Sequence, residues 1–232
     1  QYIMHGGRVL WLVDGVRISS ESLSTGGFTP AVELDLNLSD ILFRYGVRIS
    51  PVLVEDVQSV LIPVNVAAKG EKPQFQPTPW VYAPLLLTSG DHPVTRNLAP
   101  VKANFASAIE MVGDDKKLER TFLLASSDNT HILQTPAEIS LAAMPDLTDK
   151  NYFNRSYVPV GVVLEGEFQS DFTNRMPPEE IVNPPAIQTK SVPGRQIVIA
   201  DGDIIRNETV GTGNNKKVIP LGFDRYMNQQ FG

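Results

Sequence analysis

Two short runs of consecutive apolar residues, one near each end of the chain, are the most informative pattern in the sequence. Residues 9–13 (VLWLV) and residues 197–200 (IVIA) are apolar at every position, and each run stops at an Asp-Gly pair. A strand that is apolar at every residue, and not at every second one, suits a position covered on both faces, as in the parallel sheets of α/β proteins. The pattern therefore predicts two strands of such a sheet.

The residues that follow these two runs are typical of chain turns. Asp14 and Gly15 follow the first run, and Asp201, Gly202 and Asp203 follow the second. Such residues turn the chain at the carboxyl end of a strand, which is where open α/β sheets usually bind ligands. If the two strands are neighbours, the five residues share one rim of the sheet. We therefore predict them as ligand-binding residues.

The segments between the two runs predict helices and strands in mixed order. Residues 37–45 give the clearest helix, because Asn37 can cap it, one face is apolar and Gly46 closes it. Composition also favours a helix at residues 102–111, while the Ser, Thr and Gly of residues 19–28 predict a loop. The other predictions are strands at 48–54, 60–67, 80–87, 118–125, 138–143 and 158–168, and a proline-rich surface loop at 176–185.

These elements predict an α/β fold with a mixed, mainly parallel sheet flanked by helices and a strand-rich insertion near the middle. No internal repeat and no clean linker divides the chain, so residues 1–232 are predicted to form a single domain. The chain opens on Gln1 and enters its first strand within a few residues, which is the pattern of a piece of a longer protein. No stretch approaches the roughly 18–20 apolar residues of a membrane span, so any anchor is expected outside this segment.

Composition and charge exclude several classes of function. The net charge of −6 argues against nucleic acid or an anionic membrane surface as the main partner, because both select clustered Lys and Arg. The chain has no cysteine, which excludes a thiol nucleophile, a zinc–thiolate site and a disulfide. The absence of cysteine is compatible with the cytoplasm and with a bacterial periplasm alike.

The sequence contains no recognisable catalytic or metal-binding motif. His5, His92 and His131 are not spaced with each other or with Glu as metal ligands on a helix, and neither G-x-S-x-G nor a Walker pattern occurs. Asp201 and Asp203 flank a glycine and could hold Mg²⁺ or Ca²⁺. The favoured alternative is that Asp201 ends the strand and Asp203 caps a short turn. We therefore predict no catalytic residue, metal or cofactor.

Several segments in order along nearly the whole chain resemble the GldG family, the auxiliary extracytoplasmic component of a gliding-motility-associated ABC transporter in Bacteroidetes. The segments that carry the resemblance are residues 7–14 (GRVLWLVD), 35–49 (DLNLSDILFRYGVRI), 51–54 (PVLV), 92–98 (HPVTRNL), 163–168 (VLEGEF), 198–207 (VIADGDIIRN) and 221–226 (LGFDRY).

This resemblance implies a domain related to the class I glutamine amidotransferase-like α/β fold. It implies a periplasmic location, partnership with a membrane permease and an ATPase, and tethering to the inner membrane by segments outside this chain. It brings no catalytic residues, because the amidotransferase relatives act through a Cys nucleophile and this chain has none.

The sequence therefore favours a non-enzymatic auxiliary domain of an ABC-type transport system that binds a partner subunit, a cargo or a polymer. Two alternatives remain at this point. One is a hydrolase or lyase that uses carboxylates such as Asp14, Asp201 and Asp203. The other is a polysaccharide-binding module, for which Trp80, Tyr82 and Phe75 are the candidate aromatic contacts, although core packing or proline stacking is the usual role of such residues.

Overall fold

A computed structural model of the protein describes residues 1–68, 70–113, 117–173, 188–211 and 213–232. The helices are α1 (Ser20–Gly26), α2 (Ser39–Arg44) and three single-turn 3₁₀ helices at Ile3–His5, Asp203–Ile205 and Gly213–Asn215. The strands are β1 (Val9–Leu12), β2 (Val16–Arg17), β3 (Phe28–Glu33), β4 (Val47–Ser50), β5 (Val52–Asp56), β6 (Ser59–Asn65), β7 (Phe75–Thr88), β8 (Val101–Lys102), β9 (Ala108–Met111), β10 (Leu118–Ala125), β11 (Thr130–Gln134), β12 (Ala137–Ser140), β13 (Pro159–Gly166), β14 (Gly194–Ile199), β15 (Thr209–Val210), β16 (Lys217–Val218), β17 (Phe223–Asp224) and β18 (Gln229–Gln230).

The largest sheet has the strand order β1-β14-β13-β10-β7-β6, and β8 also pairs with β7. β1 and β14 run parallel, with Val9 opposite Gln196 and Leu12 opposite Ile199. The other pairs that the structure describes in this sheet are antiparallel. Smaller antiparallel sheets surround it: β12-β3-β2, β11-β5, β4-β9, β15-β16 and β17-β18.

The prediction of a mainly parallel, helix-flanked α/β sheet is wrong, and so is the class I glutamine amidotransferase-like architecture that the resemblance implied. The central strands β13 and β14 are buried on both faces, but largely by other strands. Val162 and Leu164 pack in a core with α2 and β4, and Val163 packs in a core with β5. An apolar run predicts that a strand is buried on both faces. It does not indicate which elements cover those faces or in which direction the neighbouring strand runs.

The expected strand-rich insertion is also wrong, because strands occur throughout the described chain. Residues 102–111, predicted as a helix, instead contribute the end of β8 and all of β9. Residues 19–28, predicted as a loop, contain α1, whose first turn is capped where the Ser19 hydroxyl accepts a hydrogen bond from the Ser22 amide at 3.1 Å. The predicted proline-rich loop at 176–185 lies outside the described residues.

The helix predicted at residues 37–45 exists but is shorter. α2 begins at Ser39, and Asn37 does not cap it, because Asn37 has a positive φ of 55° and donates its own amide to the Asp35 carboxylate. Gly46 follows the helix with a φ of +92°, a conformation that glycine adopts without strain. The closing residue was therefore predicted correctly and the cap was not.

β1 departs from the expected burial because it is the edge strand of the large sheet. Leu10 is 56% exposed, whereas Val198 on the neighbouring strand β14 is fully buried. A third core cluster lies under β7, where Trp80 and Tyr82 pack with Leu23 of α1. Within the part of the chain described here, none of the helices has the length and apolar character to cross a membrane.

Candidate functional site

The parallel pairing of β1 with β14 places the two Asp-Gly segments side by side at one rim of the sheet. The Gly202 amide donates a hydrogen bond to Asp14 Oδ1 at 2.7 Å. Gly202 must be small here, because a Cβ on it would lie 2.8 Å from Asp14 Oδ2. A Cβ on Gly15 would similarly lie 2.7 Å from the Ser107 hydroxyl oxygen. The rim is therefore closely packed around its backbone.

Asp201 is fully buried at the end of β14, and both of its carboxylate oxygens accept backbone hydrogen bonds. Oδ2 accepts from the Asn104 amide at 2.7 Å and Oδ1 accepts from the Asp203 amide at 2.8 Å. The pKa of Asp201 is raised to about 7. Burial is the largest cause, the amides of Asn104 and Asp203 oppose it, and the nearby carboxylates of Asp14 and Asp203 add to it. Asp201 thus joins three segments of the chain.

Asp203 begins the short 3₁₀ helix Asp203–Ile205 and is partly exposed. Both of its carboxylate oxygens lie 3.3 Å from Nη1 of Arg206, one turn later. The three rim carboxylates therefore each have a structural partner: an amide for Asp14, two amides for Asp201 and an arginine for Asp203. In the described ranges, no group of three or more His, Asp or Glu side chains has a geometry that could hold a metal ion.

Three clefts open beside this rim and share Ser20 and Asn104 in their walls. Their volumes are about 350, 330 and 320 Å³. Asp203 and Arg206 line the first and third of them, and Lys102 lines the first and second. We call this surface the rim groove and define it by Ser20, Lys102, Asn104, Asp203 and Arg206. Its hydroxyl, amide and charged groups can bind a polar ligand or a partner's side chains.

Lys102 ties the C-terminal part of the chain to the rim groove. Its ammonium nitrogen lies 2.5 Å from Glu208 Oε1 and 3.6 Å from Asp224 Oδ2. Asp224 is buried, so this ion pair is largely shielded from water. The segment that carries Glu208 and Asp224 is thereby fixed beside the groove.

The aromatic residues predicted for sugar binding do not form an exposed platform. Trp80 and Tyr82 are buried in the core, with ring centroids 4.9 Å apart in an edge-to-face arrangement. Phe75 is 66% exposed, but it lies at the opposite end of the long strand β7 from Thr88 and does not line the rim groove. Aromatic side chains do line part of the second cleft beside the rim, namely Trp80, Phe105 and Tyr226, and the Arg225 guanidinium lies 4.7 Å from the Tyr226 ring centroid.

Sequence reasoning missed two buried acids at the end of β5. Asp56 is fully buried and accepts hydrogen bonds from the amide and the hydroxyl of Ser127, each at 2.6 Å. Burial raises the pKa of Asp56, while these hydrogen bonds lower it. Glu55 accepts a hydrogen bond from the Tyr152 hydroxyl at 2.7 Å, and burial together with Glu55 raises the pKa of that phenol.

Both acids at the end of β5 stabilise the contact between β5 and the following strands. Their only sequence signal was an apolar run that continues into two carboxylates, and this pattern is equally typical of a strand that ends at the surface.

The residues of the rim groove other than Asp203 were also missed. Ser20, Lys102, Asn104 and Arg206 come from three separate places in the chain and belong to no motif. Asn104 reaches the rim through its backbone contact with Asp201, 97 residues away. His92 lies in a turn where its Nδ1 accepts a hydrogen bond from the Val94 amide at 3.2 Å.

Comparison with known proteins gives one match. A family model described as an ABC-type uncharacterized transport system matches residues 1–232, which is the whole chain. No curated protein and no solved structure matches it.

The raised pKa of Asp201 predicts how stability depends on pH. The folded state holds the Asp201 proton up to about pH 7, whereas the ordinary pKa of an aspartate carboxyl is 3.8. The contribution of Asp201 to the free energy of unfolding is therefore fully present below the pKa of this group in the unfolded state, and it is lost as the pH rises toward 7. Between pH 5 and 7 the loss is about 2–3 kcal/mol. We expect Asp201→Asn to flatten this slope in urea denaturation at pH 5, 6, 7 and 8.

The matched control for that measurement is Asp203→Asn, which removes the neighbouring, partly exposed carboxylate. Because the Asp203 carboxylate is the smallest of the causes that raise the pKa of Asp201, this substitution should change the slope between pH 5 and 7 much less than Asp201→Asn does. Equal slopes for wild type and Asp201→Asn would show that Asp201 titrates normally in the folded protein.

The close contact between Gly202 and Asp14 predicts a coupled pair of substitutions. Gly202 has a φ of −75°, which alanine adopts freely, so the cost of Gly202→Ala comes from displacing the Asp14 carboxylate. We expect Gly202→Ala alone to lower the free energy of unfolding by about 1–2 kcal/mol. In an Asp14→Ala background the same change should instead stabilise the fold by about 0.4–1 kcal/mol. An identical effect in both backgrounds, measured by chemical denaturation, would rule out the contact.

Proposed function

Because the chain belongs to the ABC-type uncharacterized transport system family and is an auxiliary component of such a system, we propose that it works as a non-enzymatic binding domain. Family membership implies partners within a transport system. Our proposal is that these are a membrane permease and an ATPase, that the single domain lies in the periplasm, and that segments outside this chain anchor it to the inner membrane. The resemblance to the GldG family supports these details and a link to gliding motility.

The observation that carries the proposal is the use of the rim carboxylates for backbone hydrogen bonds. Asp201 has the raised pKa expected of a general acid, but it is fully buried and each of its oxygens accepts an amide. A general acid must come within hydrogen-bonding distance of the substrate. The hydrolase or lyase alternative therefore has no accessible acid at Asp201, and the rim instead offers a polar surface for binding.

The rim groove is the surface that we propose for this binding. It combines a hydroxyl, an amide and the Asp203–Arg206 ion pair, and the Arg206 side chain is 71% exposed. Exposed arginine is frequent among the residues that dominate protein–protein binding energy, because its planar fork can pair with a carboxylate. Arg206 is accordingly the side chain on which a partner contact is most easily tested.

The experiment is purification of the full-length protein from its native membranes, followed by identification of the proteins that accompany it. We expect a permease and an ATPase to be recovered with the wild-type protein. Arg206→Glu, which reverses the charge in the rim groove, should lower their recovery several-fold if the groove contacts them.

Arg155→Glu is the matched control, since Arg155 is exposed and does not line the groove. It should leave the recovery unchanged. Consistent absence of both subunits from the wild-type preparation would contradict the proposed partnership.

A further inference from the structure

A second cavity lies near the opposite ends of the central strands, away from the rim groove. Leu118 on its wall starts β10 and pairs with Gly166, which in turn pairs with Gly194 at the start of β14. The cavity has a volume of about 570 Å³, which falls within the range of small-molecule sites. We call it the Arg120 cavity and define it by Phe43, Arg44, Gly46, Gly113, Arg120 and Phe168.

Arg120 is a partly buried cation with almost none of its hydrogen-bonding capacity used. A guanidinium has five N–H donors. Among the described residues, one hydrogen bond is made, from Nη2 to the Val112 carbonyl oxygen at 3.1 Å, and the buried Nε has no partner. No carboxylate oxygen of those residues lies within 4.0 Å of an Arg120 nitrogen. Charges withdrawn from water are normally paired, so within the described part of the chain this arginine lacks its expected counter-ion.

Backbone contacts hold the Arg120 guanidinium in place. A Cβ on Gly46 would lie 2.8 Å from Arg120 Nε and 2.9 Å from Nη2, so the guanidinium lies directly against the Gly46 backbone and a larger residue there would displace it. The Gly46 carbonyl accepts the Val112 amide at 3.0 Å, which joins the two backbone segments that contact the guanidinium. A side chain fixed in this way loses little entropy when it binds a ligand, and this favours binding.

The other cations around the cavity already have acidic partners. Arg44 Nε lies 3.3 Å from Asp171 Oδ1, and Lys117 Nζ lies 3.4 Å from Glu167 Oε2. Asp40 also lines the cavity and would weaken the binding of an anion through repulsion. The positive charge available for a ligand is therefore that of Arg120.

We propose that the Arg120 cavity binds a small organic anion whose carboxylate or phosphate pairs with the guanidinium of Arg120. Planar guanidinium binds both groups through paired hydrogen bonds. Phe43, which is 58% exposed, supplies apolar contact area beside it. The ligand class is thus an anionic group attached to an apolar or aromatic moiety.

The test is an amide NMR titration of the protein at constant ionic strength with four probes: acetate, phenylacetate, inorganic phosphate and phenyl phosphate. We expect saturable shifts of the Gly46, Val112 and Gly113 amides, with dissociation constants on the order of 1 mM for the better aromatic probe. Each aromatic probe should bind more tightly than its non-aromatic counterpart. Phe43→Ala should weaken the aromatic probes and leave acetate and phosphate unchanged.

Substitutions at charged residues separate a specific site from general attraction to cations. Arg120→Gln should weaken binding by about tenfold or more, whereas Arg155→Gln, an equal change of charge at an exposed residue outside the cavity, should not. Asp40→Asn should tighten binding about two- to threefold. Non-saturating shifts for all four probes, or affinities that Arg120→Gln leaves within about twofold, would overturn the proposal.

If Arg120→Gln perturbs the amide spectrum beyond the cavity, the titration is carried out with Arg120→Lys in its place. Lysine keeps the charge but loses the planar fork, so binding should weaken several-fold. Unchanged affinity in both Arg120→Lys and Asp40→Asn would equally overturn the proposal.

Discussion

The buried carboxylate of Asp201 fixes three segments of the chain at the end of β14. It ends the strand, holds the Asn104 amide from a distant loop and starts the turn at Asp203. Hydrogen bonds to a charged acceptor are strong, but burial of the charge opposes them, and the net result is the raised pKa of about 7. Because the walls of the rim groove depend on these contacts, the structure of the groove depends on Asp201.

These hydrogen bonds to Asp201 explain a difference between sequence and structure. The sequence of the rim resembles that of an active site, whereas its structure is better suited to binding. Carboxylates at the carboxyl ends of adjacent strands are common in catalytic sites, but here they hold backbone amides and an arginine. The groups left at the surface are a hydroxyl, an amide and an exposed arginine, which can recognise a partner without chemistry. The Arg120 cavity is a separate feature at the other end of the sheet, where the guanidinium of Arg120 has no carboxylate partner among the described residues.

The sequence could predict that the two apolar runs form strands that end in turns, because both runs are apolar at every position and both end on turn residues. Their adjacency was only a condition of the predicted site, and the parallel pairing of β1 with β14 meets it. Strand direction could not be predicted, since Val162 and Val163 are buried on opposite faces whether β13 runs parallel or antiparallel to β14. Residues 102–111 have a helical composition, but pairing of β9 with β4 and β8 with β7 overrides that preference. Asn104 and Arg120 gain their significance from long-range contacts that no local pattern encodes.

The most direct measurement of the central claim is an NMR titration of the Asp201 side-chain carboxyl carbon across the range from acid to neutral pH. We expect a midpoint near 7, accompanied by shifts of the Asn104 and Asp203 amides with the same midpoint. A midpoint near the ordinary aspartate value of 3.8, with no response from those two amides, would contradict the central role of Asp201, because burial would then not control the ionisation of this carboxyl.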